Sequence, residues 1–300
     1  MKKLEELLKN MGEVHRKNIA VVQAADKEVL MAVEDALRRE LCQFTLYGSA
    51  AKIKSICEAE GIDPALPDLH IVDAVSEEEA ASKAVKDVAN GTAHVLMKGN
   101  IATSSLMKEV LNKQYGLRTG NILSHTALFE IPGHKKTIFL TDAALNIAPD
   151  LQQKASIINN AVHVAKSVGI AIPKVAVLAA VETVNPAMQT TLDAAVLAQM
   201  QKRGQISGCV VDGPLAFDVA VSPKAADHKR VSSEVAGDTD ILVVPSIETG
   251  NALYKSFVYF SNAKVAAVIT GAKAPIVLTS RSDTAENKLT SLALALRTLL

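Results

Sequence analysis

Short apolar runs alternate with helical periods from one end of the chain to the other. Runs at 19–22, 44–47, 70–72, 94–97, 137–140, 174–178, 209–211, 241–244, 265–269 and 276–278 predict buried strands. Between them, apolar positions recur at helical spacing over 27–41, 76–90, 103–113, 150–168 and 185–202. Within 150–168 the stripe is Leu151, Ala155, Ile158, Val162 and Ala165. Asn185-Pro186 predicts a cap followed by proline at the first helical position. The repeated strand–helix order predicts an α/β protein with mainly parallel sheets flanked by helices. Functional loops then belong at the carboxyl ends of the strands. Polar breaks at 131–136 and 270–273 predict domain boundaries.

Composition narrows the picture. Three hundred residues, 49% hydrophobic and 21% charged, are enough for two well-filled cores. Lys+Arg and Asp+Glu both number 32, so there is no net basic footprint for nucleic acid. Aromatic residues are 3% and tryptophan is absent, which argues against base-stacking platforms. Cys42, Cys57 and Cys209 lie far apart without a C-x-x-C, the pattern of buried thiols in a reducing cytoplasm. Leu4, Leu7, Leu8 and Met11 share one helical face, which predicts an amphipathic helix rather than an export signal. No apolar run approaches the ~20 residues of a membrane span.

Candidate chemistry gathers after predicted strands. In Ala274–Leu296, the strand Ile276-Val277-Leu278 runs into a turn, Ser280-Arg281-Ser282. Asp283 and Glu286 then have capping-box spacing, and Leu289, Leu292, Ala293 and Leu296 give the following helix one apolar face. A cation and hydroxyls at a helix start attract phosphate, although a solvated turn holding an arginine has the same signature. Three other stretches repeat the pattern. Lys98-Gly99-Asn100 follows one strand, with Thr103 as a cap. Asp212-Gly213-Pro214 follows a second, with Asp218 further on. Pro245–Gly250 follows a third, with Asn251 as a cap and Lys255 one turn later. Lys98, Lys255 and Arg281 together predict a cleft for a phosphate-bearing ligand.

Asp212-Gly213-Pro214 reads first as a turn. Asp212 and Asp218 are alternatively site carboxylates, and a metal pair ranks below the structural turn because no histidine lies in that segment. Arg118 is a candidate for a substrate phosphate or carboxylate, since its fork fits both. His125 reads as a satisfied loop histidine. The chain contains no G-x-x-x-x-G-K-[ST], G-x-G-x-x-G after a strand, G-x-S-x-G or H-E-x-x-H.

Six ordered segments carry a resemblance. They are L-M-K-G-N-I-A-T (96–103), V-D-G-P-L-A-F-D-V-A (211–220), S-P-K-A-A (222–226), V-A-G-D-T-D-I-L-V-V-P (235–245), E-T-G-N-A-L-Y-K (248–255) and P-I-V-L-T-S-R-S-D (275–283). The chain resembles the phosphate acetyltransferase/butyryltransferase family, and its butyryl branch most closely. The resemblance implies a two-domain fold like that of the isocitrate and isopropylmalate dehydrogenases, with an interdomain cleft. The last helix would return to the first domain, giving 1–134 with 272–300 and 135–271. It further implies a cytoplasmic homodimer or larger homo-oligomer, no metal, no tightly bound cofactor, and coenzyme A as a substrate rather than a resident group. No nucleic acid or membrane partner is implied.

The implied reaction moves a short straight or branched acyl group reversibly between coenzyme A and phosphate. By the same resemblance, Ser280 and Arg281 match the active-site serine–arginine pair, and Arg118 a second arginine. The acetyl branch has an aspartate seven residues after the serine, where this chain has Asn287, so Asp283 and Glu286 are the candidate bases. Competing readings are a phosphate acetyltransferase or other phosphotransacylase, a metal- and NAD-dependent decarboxylating dehydrogenase of the same fold, and a non-catalytic binding module for coenzyme A or acyl phosphate.

Overall fold

A computed structural model describes residues 3–9, 11, 16–279 and 283–300. The chain forms two compact units, one built chiefly from Ile122–Val265 and the other from Glu5–Asn121 with Ala266–Leu300.

In the discontinuous unit, strands β1 (Asn18–Val22), β2 (Gln43–Gly48), β3 (Leu69–Asp73) and β4 (Val95–Lys98) are joined late in the chain by β10 (Lys264–Thr270) and β11 (Ile276–Val277). Their order is β3-β2-β1-β4-β11-β10, parallel except for the β10–β11 pair. Helices α1 (Lys27–Arg38), α2 (Ala50–Glu60), α3 (Glu77–Ala89), α4 (Thr103–Val110) and α10 (Ala285–Arg297) cover the sheet. Asp26, Ser49 and Ser76 accept the first free N–H groups of α1, α2 and α3. The stretch of α2 shows no clear period, because only Ile53 and Cys57 of it are buried. Helix α10 departs from the expected single apolar face. Every residue from Lys288 to Leu296 is buried, because the helix packs on α1, β4 and β11.

In the other unit, β5 (Ser124–Glu130), β6 (Ile138–Thr141), β7 (Lys174–Leu178), β8 (Val210–Leu215) and β9 (Ile241–Val243) run in the order β5-β6-β9-β7-β8. Only β5–β6 among these pairs is antiparallel. Helices α5 (Leu151–Ser167), α6 (Gln189–Lys202), α7 (Phe217–Val221), α8 (Pro223–His228) and α9 (Ile247–Ser261) accompany them.

Several expectations need correcting. Strand β5 has no apolar signature at its start because its first residues, Ser124, His125 and Thr126, are polar yet buried. Asn160 donates to Ser124 Oγ at 2.9 Å, and the His125 N–H donates to Asp142 at 3.2 Å. The polar break at 131–136 is the turn of the β5–β6 hairpin and lies inside one unit, whereas the chain passes between units at Leu4/Glu5, Asn121/Ile122 and Val265/Ala266. Asn185-Pro186 opens a turn closed by Met188 N–H to the Asn185 carbonyl, and α6 starts only at Gln189. Asp212-Gly213-Pro214 is not a turn but part of β8.

Charges tie the amino ends of the strands together. Lys136, just before β6, donates to Asp238 at 2.8 Å and Asp240 at 2.7 Å. Lys174, the first residue of β7, reaches Asp238 at 2.6 Å. These lysines hold the Asp238 carboxyl below its ordinary range. A second pair, Lys154 of α5 and Asp193 of α6, meets at 2.6 Å with both side chains buried, and Gln189 donates to the other Asp193 oxygen. Removing one partner strands a buried charge. Asp193→Ala is therefore expected to lower unfolding free energy by about 3–5 kcal/mol in urea titrations. Replacing both residues with Lys154→Met and Asp193→Leu is expected to restore most of that loss.

Candidate functional site

In the discontinuous unit, the carboxyl ends of β1, β4 and β11 lie abreast. Val22 pairs with Lys98, and Val277 pairs with Met97. Lys98 ends β4 and is 5% exposed, with its Nζ donating to the Gly99 carbonyl at 3.2 Å. Gly99 and Asn100 donate their N–H groups to the Val22 and Gln23 carbonyls, both at 2.7 Å. A Cβ on Gly99 would stand 2.6 Å from the Val22 oxygen and closer still to that of Gln23, so only glycine fits. Asn100 and Thr103 are exposed at the same edge. Thr103 is the first residue of α4 rather than its cap, which is Ala102 without a side-chain bond. Arg118 is exposed beyond α4, in a segment that Lys273 N–H joins to the Leu117 carbonyl at 2.9 Å.

Strand β11 leads through Leu278 and Thr279 to Ser280, Arg281 and Ser282, which lie outside the described residues. The predicted capping box does not form with Asp283. Thr284 is the cap of α10, accepting from Asn287 N–H at 3.3 Å, and Ala285 N–H donates to Glu28 at 2.8 Å. Lys288 is 2% exposed and donates to the Asp283 carbonyl at 2.9 Å. Sequence reasoning missed Lys288, because a lysine one turn into a helix reads as surface. Glu286 lines a cavity of about 670 Å³ with Glu34, Asp35, Arg38 and Arg39 of α1 and its C-cap. That cavity's arginines are already paired with Glu34 at 2.7 Å and Asp35 at 2.7 Å, so it does not gather the predicted site.

In the other unit, the carboxyl ends of β6, β8 and β9 carry the remaining candidates. Asp212 is half-buried and accepts from its neighbour Gly213 N–H at 2.8 Å. A Cβ on Gly213 would stand 2.7 Å from the Val177 oxygen, and Pro214 beside it is buried. Asp218 sits exposed in α7 and is not gathered with Asp212. It pairs with Lys229, which also holds Glu182 at 2.9 Å. The Lys229 ammonium lowers the Asp218 carboxyl below its ordinary range. Asn251 is not a cap, since α9 begins at Ile247; its amide donates to the Ala143 carbonyl at 3.4 Å. Lys255 is exposed one turn later. Among the described residues, no three His, Cys, Asp or Glu side chains stand where they could hold a metal ion.

A polar knot next to α9 went unread in the sequence. Buried Asp142 accepts from the N–H groups of His125, Ala144 and Leu145 and from the Asn146 amide at 2.6 Å. Gly250 presses on the Asp142 carbonyl so closely that a side chain would overlap it. The spacing T-D-A-A-L-N, an aspartate with an amide four residues on directly after a strand, is the signal that was available. The cysteines are free and buried. Burial pushes all three thiols up, Cys209 to about 11, so none is a thiolate at neutral pH.

The family described as "Phosphate acetyl/butaryl transferase" matches residues 68–296. A probable phosphate butyryltransferase of Bacillus subtilis (strain 168) is 54% identical over 98% of this chain and 97% of that protein. A phosphate acetyltransferase of Thermotoga maritima is 43% identical over 98% of each. The crystal structure of a branched-chain phosphotransacylase from Enterococcus faecalis V583 superposes with a TM-score of 0.82 at 38% identity, over 94% of this chain and 99% of that one. A match spanning most of the chain, with relatives this similar over nearly all of it, makes the chain a member of the phosphate acetyl/butyryl transferase family.

Proposed function

We propose that this protein transfers a short acyl group, butyryl or branched, reversibly between coenzyme A and inorganic phosphate. The observation that carries the reading is the register of β4 and β11. Val277 pairs with Met97, so β11, the strand that precedes Ser280 and Arg281 in sequence, ends beside the strand that carries Lys98. A cation and a glycine-backed strand end thus lie beside the strand that leads to the family's serine–arginine pair in sequence.

In the direction of thioester synthesis, the coenzyme A sulfur attacks the carbonyl carbon of the acyl phosphate. The new C–S bond forms as the C–O bond to phosphate breaks, and the thiol proton passes to a base. Phosphate leaves with the bond's electron pair. A thiol of pKa ~8.5 is mostly protonated at neutral pH, so the site must favour the thiolate. Arg281 grips the phosphate through two parallel hydrogen bonds, and Lys98, Asn100 and Thr103 add charge and donors around it. Ser280 hydrogen-bonds the charge that develops on the carbonyl oxygen of the acyl group. Arg118, Asn251, Lys255 and the Asp212-Gly213-Pro214 strand end serve coenzyme A and phosphate. Asp218 contributes through its pair with Lys229.

Asp283 and Glu286, the two carboxylates that follow Ser280 in sequence, are the candidate bases, and Glu286 also lines the cavity beside α1. No covalent acyl-cysteine is needed, because the thiols are buried and protonated. We assign the protein to the cytoplasm as a homo-oligomer that needs no metal. Free thiols suit a reducing compartment, and no helix among the described residues is long and apolar enough to cross a membrane.

Coenzyme A release from butyryl-CoA is expected only when phosphate is present, read by a thiol-reactive dye. Release without phosphate would refute the reaction. Loss of the two charge-assisted bonds in Arg281→Ala is expected to lower kcat/KM roughly 10²–10⁴-fold. Alanine at Cys42, Cys57 and Cys209, one at a time, should leave kcat within about two-fold of the wild type, since burial keeps these thiols out of the chemistry. An acyl-enzyme trapped on any of them would contradict the direct displacement.

A further inference from the structure

We propose that the apolar pocket at the carboxyl ends of β7 and β9 receives the acyl chain and sets how long a chain is preferred. The inference deepens the acyl-transfer reading and rests on it. The pocket has a volume of about 360 Å³. Leu178, Ala180, Phe217, Pro245 and Leu253 form its apolar walls, and Thr190 and Thr249 add two hydroxyls.

Its position is that of a ligand site rather than a packing flaw. Leu178 closes β7, Pro245 follows β9, and Phe217 and Thr249 lie in the first turns of α7 and α9. In a parallel α/β sheet this is the edge where ligands bind. Leu178 also pairs with Leu215, one residue beyond Pro214, so the pocket adjoins the β8 strand end assigned to substrate. Phe217, Pro245 and Thr249 with Leu253 come from three different segments of those that carry the family resemblance.

The chemistry of the walls selects the occupant. A phosphate needs cations, and none lines the pocket. The amide-bearing arm of coenzyme A would lose hydrogen bonds to water that two threonines cannot replace. A short hydrocarbon chain loses nothing and gains burial. The volume lies at the lower end of the ~300–1,000 Å³ found for small-molecule pockets, which leaves room beyond an acetyl group.

The test measures kcat/KM for acetyl-, butyryl-, isovaleryl- and hexanoyl-CoA with phosphate. Each buried methylene is worth about four-fold, so wild-type protein should favour butyryl over acetyl by roughly 15-fold. Filling the pocket with Leu253→Trp or Ala180→Leu should erase that preference while acetyl turnover persists, which also shows that the variants are folded. Enlarging it with Leu253→Ala should raise hexanoyl relative to butyryl. A change by one common factor for all four substrates, or no change, overturns the proposal. Calorimetry with butyryl-CoA and free coenzyme A separates this from the transfer reading. The added affinity from the butyryl group should vanish in Leu253→Trp even if turnover is never seen. An increment that persists there sinks the pocket assignment alone.

Discussion

Backbone crowding at the carboxyl ends of the strands is the constraint on which the rest depends. Three glycines bear it. Gly99 lies against the Val22 and Gln23 carbonyls, Gly213 against Val177, and Gly250 against Asp142. Each sits where a side chain would overlap a neighbouring carbonyl oxygen, so the crowding is possible only because Cβ is missing. The approach brings Lys98 and Asn100 to the end of β1, seats Gly213 of β8 against Val177 of β7, and sets the first turn of α9 onto the Asp142 knot. Polar groups are thereby fixed by backbone rather than by flexible side chains, which is how a site is held to the tolerance that displacement chemistry requires.

The opposite ends of the strands are managed differently. Around β6, β7 and β9, Lys136 and Lys174 bridge Asp238 and Asp240, closing the amino edge with ion pairs. That edge carries stability, and the carboxyl edge carries openings: the apolar pocket beside β7 in one unit and the Lys98 segment in the other. Asp142 lies at the carboxyl edge too, where its four donors make it a brace for the backbone turn after β6.

The sequence made the alternation of strands and helices legible because parallel strands buried on both faces read as plain apolar runs. It hid β5, whose first three residues are polar and buried, and α2, which buries only Ile53 and Cys57. Glycine, proline and aspartate in sequence suggested a turn at 212–214, yet Gly213 is there so that β8 can approach β7. Caps were misread where tertiary contacts decide the helix start, as with Thr284 in place of Asp283 and Ser246 in place of Asn251. The strand ends before Gly99-Asn100 and before Ser280 were legible from the apolar runs that lead into them. The buried contacts of Lys288 and Asp142 were not, because most of their partners are backbone groups that a sequence does not mark.

The most direct measurement compares Gly250→Ala and Gly99→Ala with Lys136→Ala, each assayed for phosphate-dependent coenzyme A release and for unfolding in urea. If crowding at the carboxyl edge positions the reacting groups, the two glycine variants lose at least about 10²-fold in kcat/KM while remaining folded. Lys136→Ala should lose stability and keep its turnover. Glycine variants that turn over like the wild type would contradict the account.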